Sequence, residues 1–167
     1  MNNNFSIRVY KQYFNFASSH FMIFQDGTRE PLHGHNYRVQ VKGNAPILTN
    51  DMVFDFLDIK PIVRKICDSL DHKLLIPQLN SHLKITESEN NLNIETSDKS
   101  FFSIPQKDVL LLPIENTSAE RFAIYIAEQI QLLTDQAFNF QFEELEVEVE
   151  ETPGQSAIYV LKKKGNN

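Results

Sequence analysis

Apolar and polar side chains alternate from the start of the chain. Phe5-Ser6-Ile7-Arg8-Val9-Tyr10 has the period of two that a half-buried strand requires. The pattern continues less cleanly through Phe14 and Phe16. It returns at Asn36 to Lys42, where Tyr37, Val39 and Val41 fall on one face. The polar run Gln25-Asp26-Gly27-Thr28-Arg29-Glu30-Pro31 lies between, so the two segments are expected to pair antiparallel across that loop.

The period then lengthens. Ile59, Ile62, Val63, Ile66 and Leu70 follow helical spacing, with Asp58 as the expected N-cap and Pro61 in the first turn. Thr117-Ser118-Ala119-Glu120 reads as a capping box with Thr117 as N-cap. Behind it Ala123, Ile126, Ala127, Ile130 and Leu133 form the buried stripe of a second helix. Leu145, Val147 and Val149 alternate with Glu144, Glu146, Glu148 and Glu150, a strand with one apolar and one acidic face. Thr152-Pro153-Gly154-Gln155 turns the chain into a last strand, Ala157 to Leu161. Between the helices, Leu83-Lys84-Ile85-Thr86 and Leu92-Asn93-Ile94-Glu95 flank the polar turn Ser88-Glu89-Asn90-Asn91 and predict an extra hairpin. The order is ββ, α, hairpin, α, ββ: an α+β chain with a four-stranded antiparallel sheet and two helices.

Composition changes this picture little. A chain of 167 residues with 41% hydrophobic and 23% charged positions suits one domain with a sizeable core. The net charge of −6 argues against a nucleic-acid partner, which needs a basic footprint. The run Lys162-Lys163-Lys164 is expected to solubilise the C-terminus. No segment approaches the roughly 20 apolar residues of a membrane span, and Met1-Asn2-Asn3-Asn4 does not resemble the start of a secretory signal. One cysteine, Cys67, precludes an internal disulfide, and a cytoplasmic home is expected. Its helical position after Ile66 marks it as a small buried hydrophobe.

The candidate chemistry lies in three histidines. His33 and His35 in Leu32-His33-Gly34-His35-Asn36-Tyr37 point to one side of a strand, together with Tyr37. His20, at the end of Phe16-Ala17-Ser18-Ser19-His20, would complete a three-nitrogen cup if the strands are neighbours. Such a cup suits Zn2+ with its fourth position open, although imidazole also suits other divalent ions. His72 and His82 do not share this spacing.

These motifs occur in one order with Met52-Val53-Phe54-Asp55-Phe56, Leu70-Asp71-His72 and Glu151-Thr152. That series resembles the 6-pyruvoyltetrahydropterin synthase and 6-carboxytetrahydropterin synthase family of tunnelling-fold zinc enzymes. The resemblance covers about residues 5–79 and 109–162, leaving a single domain with an insertion at about 80–108. It implies a homo-oligomeric β-barrel of stacked trimers, a hexamer, in which the cup and the Asp-His pair of one site come from different subunits. It also implies metal ligation by His20, His33 and His35, a proton relay through Asp71 and His72, and an anchor at Glu151 for the 2-amino and N3–H edge of a pterin. Thr117, Ser118 and Glu120 follow as secondary pterin contacts, Glu120 being already explained by the capping box.

One departure stands out. The family loop resembles Cys-x-x-x-His-Gly-His, with the thiol as general base; here the Cys place is Arg29, which stays protonated and takes no proton. The next residue gives Glu30-Pro31-Leu32-His33-Gly34-His35, resembling a branch in which glutamate replaces the cysteine and 7,8-dihydroneopterin is split. The first expectation is therefore a zinc-dependent lyase giving 6-hydroxymethyl-7,8-dihydropterin and glycolaldehyde in folate biosynthesis, with Glu30 as base. The alternatives are a 6-carboxytetrahydropterin synthase of the queuosine pathway, or a 6-pyruvoyltetrahydropterin synthase, acting on dihydroneopterin triphosphate. A reading of another class is a non-catalytic pterin- or metal-binding assembly protein.

Overall fold

Two antiparallel strands, β2 (Asn15–His20) and β3 (His33–Ala45), form the centre of the molecule in the computed structural model, which describes residues 5–163. The initial alternation breaks into two strands. β1 (Phe5–Val9) pairs with the far half of β3, and a turn closed by the Phe14 amide on the Lys11 carbonyl carries the chain to β2. The long strand β3 thus serves three partners: β1, β2 and β9 (Glu144–Thr152). β10 (Gln155–Lys162) pairs with β9, and the antiparallel order β10-β9-β3-β2 is the expected four-stranded unit.

Two strands were not anticipated. β4 (Lys73–Pro77) pairs parallel with β2, and β8 (Val109–Leu112) pairs parallel with β4, extending the sheet beyond β2. Both are apolar runs without alternation, because parallel strands covered on both sides need no polar face. Leu75 enters the main core, while Leu74 and Ile76 enter a second one.

Helices α1 (Phe56–Leu70) and α2 (Ala119–Phe138) build the main core with the sheet. Both begin elsewhere than expected. Asp55, not Asp58, caps α1 by accepting from the Leu57 amide, which places Pro61 inside the helix. Ser118, not Thr117, caps α2 by accepting from Arg121. Cys67 is fully buried on α1, and that burial pushes its thiol up to about 12. Neither helix is long and apolar enough to cross a membrane.

The expected hairpin is a three-stranded antiparallel sheet, β5 (Leu83–Ser88), β6 (Asn91–Thr96) and β7 (Phe101–Pro105). Leu92 and Ile94 of β6 pack with Phe21, Ile23, Leu74, Ile76 and Val109 in the second core. The expectations for Met1 to Asn4 and for Lys164 concern positions outside the described residues; Lys162 faces Glu144 at 3.3 Å.

Candidate functional site

Strand register brings the histidines together. His20 lies directly opposite His33, Ser18 opposite His35 and Phe16 opposite Tyr37, so a period of two on each strand stacks these side chains on one face. The ring centroids are 4.6 Å apart for His20–His33, 4.9 Å for His33–His35 and 5.4 Å for His20–His35. One nitrogen from each of the three lies within 4.8 Å of the others. His20 is buried, His35 half-buried and His33 exposed, so the cup has a floor and an open rim. Gly34, between His33 and His35, permits the strands to approach: a Cβ there would stand 2.8 Å from the Ser18 carbonyl oxygen.

Backbone carbonyls orient the rings. A carbonyl only accepts, so the 2.9 Å contact of His20 Nδ1 with Thr117 O and the 2.8 Å contact of His33 Nδ1 with Pro31 O place the protons on Nδ1. In the neutral ring this leaves Nε2 with the lone pair. Burial, and next the neighbouring His33, hold His20 below its ordinary pKa and favour the neutral form a ligand must have. These features fit a divalent metal held by His20, His33 and His35.

Two side chains line the floor with them. The Tyr37 hydroxyl lies 2.9 Å from His20 Nε2 and 3.4 Å from Glu151 Oε1, and burial with Glu151 beside it raises its pKa. Glu151 Oε1 is 3.8 Å from Nε2 of both His20 and His35. The sequence places Tyr37 on the histidine face without marking it as a site residue; its position two after His35 is the signal.

Glu30 is half-buried, and its Oε2 accepts the Met22 amide at 3.2 Å, just past the end of β2. Asp71 follows α1 and accepts the Ala17 amide at 2.7 Å and His72 Nδ1 at 2.8 Å. Burial opposes its ionisation, but these hydrogen bonds outweigh it and hold the carboxyl below its usual range. His72 has φ 56° and an exposed ring that lines a cavity of about 800 Å³ with His35, Gly34, Lys73 and Glu151 of the same chain.

The secondary contacts fare differently. Thr117 is fully buried: its hydroxyl donates to the Phe21 carbonyl at 2.8 Å, and its own carbonyl holds His20. Its hydroxyl is thus occupied as a support beneath the cup. Ser118 accepts the Arg121 amide as the cap of α2, and Glu120 is exposed in the first turn of that helix.

The family model described as 6-pyruvoyl tetrahydropterin synthase matches residues 8–162. A Methanocaldococcus jannaschii protein, provisionally named a 6-carboxy-5,6,7,8-tetrahydropterin synthase, is 39% identical over 148 residues, 86% of this chain and 88% of its own. The crystal structure of the 6-pyruvoyl tetrahydropterin synthase from Plasmodium vivax is 34% identical, with a TM-score of 0.88 over 96% of this chain and 99% of that one. A variant of that Plasmodium vivax enzyme, described as lacking its catalytic glutamate, superimposes with a TM-score of 0.88 at 33% identity over the same shares.

Proposed function

The chain belongs to the 6-pyruvoyl tetrahydropterin synthase family, and from that membership we propose that it remodels the C6 side chain of a 7,8-dihydropterin. Its relatives' names support a tetrahydropterin synthase, for which dihydroneopterin triphosphate is the expected substrate, ahead of the cleavage first expected from the loop. The observation that carries the reading is the meeting of His20, His33, His35, Tyr37 and Glu151 at adjoining ends of β2, β3 and β9.

His20, His33 and His35 would hold zinc, which when bound supplies Lewis acidity toward hydroxyls of the substrate side chain. Glu151 accepts the 2-amino and N3–H donors of the pterin, a pairing only an ionised carboxylate makes in full. Glu30 takes a proton from the side chain; Met22 holds one of its oxygens and leaves the other available. Asp71 orients His72 at the cavity edge, where the imidazole passes protons to and from water. The exposed edge strand β10, with Ile158 and Val160 outward, is one side of the ring closure a hexamer needs.

One observation favours cleavage of 7,8-dihydroneopterin as a second reading. The only thiol is sealed inside α1, whereas Glu30 stands in the loop before His33. In that reaction Glu30 takes the C2′ hydroxyl proton and the C1′–C2′ bond breaks, its electrons passing into the C6=N5 imine. C2′ becomes the aldehyde of glycolaldehyde, and protonation at C1′ gives 6-hydroxymethyl-7,8-dihydropterin.

The test is to incubate the zinc-loaded protein with dihydroneopterin triphosphate and with dihydroneopterin, identifying products by mass spectrometry. Triphosphate release with a tetrahydropterin product supports the synthase; glycolaldehyde supports the lyase. Intact substrates in both arms overturn the enzymatic reading and leave a pterin-binding assembly.

A further inference from the structure

Arg29 stands where the family resemblance places a thiol, and its side chain turns away from the cup. The guanidinium is mostly buried, with Cζ 5.0 Å from the Phe102 ring centroid and 5.6 Å from that of Phe21. Nη2 donates to Ser100 Oγ at 2.9 Å, and Nε lies 3.4 Å from Asp98 Oδ2. Nη1 returns to the loop and donates to the Glu30 carbonyl at 2.8 Å. Three of these partners, Asp98, Ser100 and Phe102, belong to the second sheet or its β6–β7 turn.

That turn is itself organised. Asp98 accepts the Ser100 amide at 2.9 Å and the Thr96 hydroxyl, and Thr96 accepts the Lys99 amide at 2.9 Å. The loop rests on the same sheet at a second point. A Cβ on Gly27, which has φ +82°, would meet His82 Nδ1 at 3.0 Å and Ser97 Cβ at 3.1 Å.

Geometry transmits this anchoring to the next residue. Arg29 bridges Ile23, and the Glu30 amide donates to Met22 O at 3.0 Å, so this stretch is extended and successive side chains face opposite ways. Fixing Arg29 against the second sheet therefore fixes the facing of Glu30, whose carboxylate meets the Met22 amide. We propose that Arg29 is a positioning residue for Glu30, and that the sheet β5–β7 sets the place of that carboxylate through it. The second sheet is on this view part of the catalytic apparatus.

The inference rests on Glu30 as proton acceptor, so the experiment separates the two. Arg29→Met keeps the apolar stem and removes every donor; Arg29→Lys keeps the charge but loses the fork. Each is made alone and with Glu30→Gln, then assayed on dihydroneopterin triphosphate and dihydroneopterin for kcat and KM, with metal content and amide exchange over residues 25–31. A misplacement of about 1 Å costs on the order of 10²-fold in rate, so Arg29→Met is expected to lower kcat by about that factor. KM and metal content stay constant, Arg29→Lys is intermediate, and loop exchange quickens. In the Glu30→Gln background the Arg29 change has no further effect on kcat.

Equal losses in both backgrounds, or unchanged kcat and loop exchange in Arg29→Met, overturn the inference while leaving Glu30 as base. Full activity of Glu30→Gln overturns the base assignment instead. Ser100→Ala, which removes one hydrogen bond and leaves the backbone of its turn, provides the same comparison if Arg29→Met does not fold; there, unchanged loop exchange and kcat overturn the inference.

Discussion

His20 donates its Nδ1 proton to the Thr117 carbonyl at 2.9 Å, and this bond decides which nitrogen of a buried ring faces His33 and His35. The strand β2 carries the ring, while the loop before α2 sets its tautomer. Because the accepting group is backbone, Thr117 acts here through its position; its hydroxyl secures that position on Phe21.

One divalent ion is expected to bind each chain. His33→Ala/His35→Ala should abolish stoichiometric binding while barely changing stability, since His33 is exposed and His35 half-buried. Elemental analysis after gel filtration is the check, and full metal content in the double variant would exclude the assignment.

Glu30→Gln is expected to reduce turnover by about 10²–10⁴-fold, the usual loss on removing a general base, with metal content unchanged. Cys67→Ala should leave turnover intact and lower the thermal midpoint, because its thiol is buried in the core of α1 and held in its protonated form. Steady-state kinetics on both variants decides it: a silent Glu30→Gln beside an inactive Cys67→Ala reverses the roles.

The histidine cup was legible because a period of two on paired strands is a local rule, and His20, His33 and His35 obey it. The start of α2 departs from the capping-box expectation for a tertiary reason. Thr117 and Ser118 both make good caps, and the fold uses Thr117 beneath His20, leaving Ser118 to the helix. β4 and β8 went unseen because burial on both sides removes the alternation that identifies a strand. Arg29 revealed only what it cannot do; its partner Ser100 is 71 residues away, beyond any local pattern.

Glu151→Gln is expected to weaken pterin binding by at least tenfold, because an amide offers one acceptor and one donor where the substrate presents two donors. Titration calorimetry with a non-reactive pterin checks it, run beside metal analysis since Glu151 Oε1 lies 3.8 Å from His20 and His35. Unchanged affinity at full metal content would move the pterin anchor away from Glu151.

Asp71 and His72 separate stability from function. The Asp71 carboxylate binds the Ala17 amide and His72 Nδ1, tying the end of α1 to β2, and its folded pKa lies below its unfolded value. The stabilisation it provides is therefore present above the unfolded pKa and is lost as pH falls through the lower folded one. Asp71→Asn should lower the thermal midpoint at pH 7, and the gap from the parent should close as pH drops below about 4, the ordinary Asp value. His72 has a side chain 83% exposed, so His72→Ala should leave the midpoint and metal content nearly unchanged. If His72 relays protons, that variant loses about 10²-fold in kcat and the pH dependence of kcat changes with it. A His72→Ala enzyme with the parent's kcat and pH profile would reduce the pair to a helix-terminal contact, with only the Asp71 effect on stability remaining.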